Sequence, residues 1–131
     1  MAWTHHELDR MSEAGLFAPG ERVELIDGEI IPIPAKGQRH DRVRMALNRS
    51  ISRRLGEDKD LLPEPGWRPA ERFYFEPDFL IVPRSVIVPE FARTEVLLGI
   101  EIADSSICYD TTIKRDRYAG LGVVEYWVVN A

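Results

Sequence analysis

The chain has 131 residues, a formal net charge of −5, 30% charged residues and 44% hydrophobic ones. That length suits one domain with its own core, and the composition is ordinary for a globular protein. No run approaches the ~20 apolar residues of a membrane helix, and the opening MAWTHHELDR lacks an apolar signal region. The lone cysteine, Cys108, excludes an internal disulfide framework and fits a reducing cytoplasm. With no Cys/His cluster, structural zinc is not expected. The acidic balance argues against indiscriminate nucleic-acid binding. The charge is uneven, however: residues 36–54 carry seven basic side chains against one acid, Asp41, a local charge of +6.

Taken in order, Thr4 and Glu7 spell a capping box and Gly15 a stop, which predicts a short helix over about residues 5–14. Asp27-Gly28 between 23–26 and 29–33 is the signature of a hairpin with a two-residue turn. Glu24 alternates with Val23 and Leu25 and can lie on either face. An exposed strand glutamate is the preferred reading, and a third acid beside a metal is the functional one. Over residues 40–55 the period becomes helical, with Val43, Leu47, Ile51 and Leu55 on one stripe and Arg42, Arg49 and Arg53 on another side. His40 falls near the apolar stripe, pointing inward or to a cleft edge. Residues 56–69 are broken by Pro63, Pro65 and Pro69 and read as a loop with at most one edge strand, with Trp67 covering the edge of the core.

A strand is expected over 72–82, with Pro77 bending the sheet just before Asp78. Residues 85–93 read as irregular. The most hydrophobic strand is expected over 96–103, where Glu101 interrupts it, and its composition places it centrally. Asp110 is a good N-cap for a helix over about 111–120, and 123–129 reads as the last strand. Helix, hairpin, helix, strand, strand, helix, strand describes an α+β (mixed α/β) domain around one sheet.

An ionised carboxylate inside an apolar strand costs several kcal/mol unless a cation or donor satisfies it. Asp78 and Glu101 lie on consecutive strands, and opposed side chains on antiparallel neighbours come within about 5 Å. Two acids that close call for a cation, and hard oxygen ligands favour magnesium or manganese with positions left for phosphate. Lys114, near the start of its helix, is placed to favour an anionic transition state. A buried arginine partner for Glu101 is the competing reading, and Asp104 and Asp110 read as structural.

The strings P-D-x-L-I-V, I-E-I-A-D-S-S and Y-D-x-x-x-K-x-x-x-Y-A-x-x-G-V-x-E-Y-W-V-V-N strongly resemble the Uma-two restriction-endonuclease family, a branch of the PD-(D/E)XK nuclease superfamily. E-L-I-D-G-E-I and the His40 helix extend the likeness over essentially the whole chain, residues 1–131. The resemblance implies a restriction-endonuclease-like mixed sheet flanked by helices, with magnesium held by Asp78, Glu101 and the backbone carbonyl of Ile102. Ala103 stands where the superfamily's E-x-K would place lysine, and the family pattern supplies that lysine from the next helix, here Lys114. The chain also stops where relatives continue with further strands, so the expectation is either a C-terminally truncated domain or a short version whose sheet edge a partner completes.

The resulting expectation is a cytoplasmic, magnesium-dependent (or manganese-dependent) endodeoxyribonuclease. Asp78, Glu101 and Lys114 carry the chemistry, with Glu24 and His40 secondary, and Arg42, Arg49 and Arg53 contact DNA phosphates. Its rivals are a catalytically inactive nuclease-like binding or assembly module and a small-molecule metal hydrolase. An uncovered strand edge at the C-terminus is compatible with a homodimer.

Overall fold

The computed structural model describes residues 2–86, 95–104 and 110–131, with the side chains of Asp110 and Thr111 left undescribed. Helix α1 (His5–Glu13) opens on the expected capping box, Thr4 and Glu7 each satisfying the other's backbone N–H. Strands β1 (Val23–Ile26) and β2 (Glu29–Pro32) form an antiparallel hairpin. Its turn residues Asp27 and Gly28 both take positive φ, 53° and 81°, as a primed turn requires. Helix α2 (Gln38–Arg54) follows, slightly longer than its periodicity suggests.

The main sheet has the order β3 (Lys59–Pro63), β4 (Phe79–Pro83), β5 (Leu98–Ala103), β6 (Glu125–Asn130). The first three strands are antiparallel to their neighbours, and β6 joins β5 in parallel after a helical crossover. Both faces of β4 and β5 are covered, which is why their sequences read as nearly continuous apolar runs. On one face Phe79, Ile81, Ile100 and Ile102 meet the α2 stripe of Val43, Leu47, Ile51 and Leu55. On the other, Leu80 and Val82 pack with Trp67, Phe75 and Tyr118. Trp67 is 1% exposed, so it belongs to the core itself rather than to its edge. Among the described residues no helix is long and apolar enough to cross a membrane.

Two expectations are corrected. Residues 72–77 are not a continuous strand with β4. Tyr74 and Phe75 form single bridges to Leu25 and Trp67. Pro77 has no N–H to give a ladder, and the Glu76 N–H is spent on the Glu24 carboxylate at 2.8 Å. The second concerns Asp110, which does not precede its helix. Asp110–Lys114 winds as a wide π-type turn, and only then does α3 (Arg115–Gly120) begin. Lys114 therefore stands at the junction of the two. Cys108 and residues 87–93 of the stretch expected to be irregular lie outside the described residues.

Gly99 couples this scaffold to the acids above it. A Cβ there would lie 3.0 and 3.2 Å from the Tyr118 ring. That ring is boxed by Trp67, Phe75 and Tyr126 with centroids 5.4, 4.8 and 4.9 Å away, so it cannot give. Gly99→Ala should therefore destabilise the fold by about 1–3 kcal/mol, outweighing alanine's gain in backbone entropy, and a lowered urea midpoint would report it.

Candidate active site

The antiparallel register pairs Phe79 with Ile100, so Asp78, one residue before β4, faces the Glu101 position of β5. Asp78 is 2% exposed and Glu101 4%. The Asp78 carboxylate is anchored on the β5 backbone, where the Ile102 N–H donates to Oδ2 at 2.7 Å. Its other oxygen, Oδ1, receives the Lys36 ammonium at 2.9 Å. The His40 Nε2 lies 2.8 Å from that same oxygen, in contact but without the alignment of a hydrogen bond. The helical stripe of α2 turns the imidazole inward, and it is buried.

Glu101 faces the crossover. Tyr118 donates its hydroxyl to Glu101 Oε1 at 2.9 Å, and Lys114 Nζ lies 3.4 Å from the same oxygen. Burial, reinforced by the Glu101 and Glu24 charges, pushes the Tyr118 hydroxyl well above its ordinary pKa. It stays protonated, and so stays a donor, across the working pH range.

Lys114 also touches Glu24 Oε1 at 2.7 Å. Glu24 is 3% exposed, which corrects the reading of an exposed strand glutamate. The hairpin is held against the core by paired main-chain bonds between Leu25 and Tyr74, at 2.8 and 2.9 Å, and that register turns Glu24 inward. Lys114 is itself 6% exposed and bridges two buried acids. Position 103, where a superfamily lysine would sit, holds a fully buried alanine, and the ammonium comes from the crossover instead.

Glu24, His40, Asp78, Glu101, Ile102 and Lys114 line one cleft of about 120 Å³, walled by the 31–37 segment. Arg42, Arg49 and Arg53 are exposed on α2, and none of them lines it. Asp104 is more than a turn former, since it lies at the cleft with Arg39 3.7 Å away. Sequence reasoning missed Lys36, which has no periodic signal in its Pro-rich segment. It missed Tyr118 as well, although Tyr118 lies one helical turn beyond Lys114 and that spacing was available.

Five carboxylates (Glu24, Glu76, Asp78, Glu101 and Asp104) line the cleft against two lysines, Lys36 and Lys114. Among the described residues no three acid or histidine groups already converge to cage an ion. Magnesium needs fewer: it is commonly held through one or two carboxylates while keeping several waters. A surplus of carboxylate lining the cleft, three of the five groups buried, fits such an ion.

A four-stranded mixed sheet flanked by helices is a restriction-endonuclease-like fold. The Uma2 family, described as "Putative restriction endonuclease", matches residues 5–131, and the chain belongs to it. The fold also matches the crystal structure of "a putative nuclease belonging to DUF820" from Anabaena variabilis, with a TM-score of 0.58 and 17% sequence identity. That match covers 82% of this chain and 65% of the Anabaena chain, so this chain spans about two thirds of that protein's length. No curated protein matches.

Replacing Lys114 by the nearly isosteric Met would leave Glu24 and Glu101 buried without their shared cation. Lys114→Met should therefore lower stability by about 3–5 kcal/mol, read from chemical denaturation of the metal-free protein.

Proposed function

We infer that this chain is a metal-dependent endonuclease acting on DNA, with magnesium or manganese held by Asp78, Glu101 and the carbonyl of Ile102. The observation that carries the reading is that three buried acids, Glu24, Asp78 and Glu101, line one cleft with Lys114, which contacts Glu24 and Glu101. A divalent ion held by these residues would supply Lewis acidity toward a phosphate and would lower the pKa of a water bound to it. Lys114 stabilises the charge that develops on the phosphate, and Glu24 holds its ammonium in place. Tyr118 orients Glu101 by donating to Oε1, while the Ile102 N–H anchors Asp78 and His40 packs against its other oxygen.

The cleft's size speaks to the substrate. About 120 Å³ is well below the roughly 300–1,000 Å³ of pockets that enclose a small-molecule ligand. A single phosphate of a polymer fits it better than a whole nucleotide, which favours a nuclease over a small-molecule hydrolase. The exposed Arg42, Arg49 and Arg53 face supplies phosphate contacts outside the cleft, offsetting a net charge of −5.

Manganese titration calorimetry tests the metal reading without a guess about sequence specificity. Saturable binding by the native chain, lost in both Asp78→Ala and Glu101→Ala, is expected, together with loss of cleavage of supercoiled DNA. A folded native chain that binds no manganese at millimolar concentration would overturn the nuclease mechanism and leave the non-catalytic module. For the basic face, combined Arg42→Ala, Arg49→Ala and Arg53→Ala should reduce the slope of log affinity against log salt by about three. Manganese binding should be unaffected.

A further inference from the structure

Lys36 is the cation that neither the strands nor the crossover account for. It enters from the segment joining β2 to α2, and its ammonium rests on Asp78 Oδ1 at 2.9 Å. The lysine side chain is 17% exposed and the Asp78 side chain 3%, so the contact closes the cleft from its mouth. A second carboxylate stands outward of it: Glu64 Oε1 lies 3.4 Å from the same ammonium, with its side chain 37% exposed. The Asp78 carboxylate cannot follow the lysine outward, because its other oxygen is held by the Ile102 N–H. One oxygen of one anchored acid is thus shared between a built-in monovalent cation and the coordination expected of a divalent one.

We propose that Lys36 is an exchangeable counter-cation: it occupies Asp78 in the metal-free protein and is displaced toward Glu64 when a divalent ion takes that oxygen. This rests on the reading of Asp78 as a metal ligand and adds a regulation of that site. The physical argument is competition. An ammonium and a divalent ion cannot share one carboxylate oxygen without strong repulsion in a water-poor cleft, and Lys36 is the one of the two with somewhere to go. Glu64, whose Oε1 lies 3.6 Å from the Arg44 guanidinium, keeps it near the mouth, where both cations face an arriving phosphate. Metal binding then does two things at once: it fills the acidic end of the cleft and sends a positive charge to its entrance. Lys114 has no comparable exit, being buried between two acids that are themselves buried.

The test uses the full chain and manganese alone. Lys36→Met removes the competitor and should bind manganese about 10–100-fold more tightly than the native protein by calorimetry. In the native chain, acylation of the Lys36 amine, followed by mass spectrometry, should become several-fold faster at saturating manganese, and this arm does not depend on the variant folding. Equal or weaker manganese affinity in folded Lys36→Met, or Lys36 labelling that manganese leaves unchanged or slows, would overturn the exchange while leaving the metal site standing. Absence of manganese binding in both native and Lys36→Met protein would remove the metal reading itself, and the exchange with it.

Discussion

The contact on which the rest depends is the ammonium of Lys114 set between the carboxylates of Glu24 and Glu101. Each of these groups is buried, and none would be tolerated there alone. Glu24 comes from the hairpin, Glu101 from the central strand and Lys114 from the crossover, so three separate parts of the chain are tied at one charge. The hairpin is a sheet of its own, joined to the core through Leu25 and Tyr74 and through this ion pair. A purely apolar contact could hold the three parts together more cheaply. Keeping charge there costs desolvation, and such costs are usually met where the charges serve chemistry.

Around that tie the cleft is divided by donor. Asp78 is held by a backbone N–H and, on its other oxygen, by Lys36, with His40 in contact there. Glu101 is held by a protonated phenol and by Lys114. The first set leans on α2 and the segment before it, the second on the crossover. The cleft therefore draws its donors from elements on both faces of the sheet, although the two apolar clusters on those faces are separate.

Much of this was readable beforehand, for identifiable reasons. The α2 stripe, the hairpin turn and the capping box are local patterns whose physics lies within a few residues, and each was legible. The burial of Asp78 and Glu101 was legible because a charge inside an otherwise apolar run is anomalous wherever the chain folds it. Glu24 was not, because alternation in a short strand leaves both faces open, and only the register set by Leu25 and Tyr74 turns it inward. The strand expected over 72–82 forms only from Phe79 onward because the donors before it are diverted: Pro77 has none, and that of Glu76 goes to a side chain 52 residues away. Lys36 was beyond reach, since its position follows from the path of an irregular segment. The π-type turn was equally unreadable, because nothing in Asp-Thr-Thr-Ile-Lys distinguishes it from an ordinary first helical turn.

The hairpin turn has one further consequence. Its glycine accommodates the start of the chain: the Trp3 N–H donates to the Gly28 carbonyl at 2.8 Å, and a Cβ on Gly28 would meet the Ala2 methyl at 2.8 Å. Gly28 is two residues from Ile26 in the strand that carries Glu24, so the first residues of the chain brace the acid nearest Lys114.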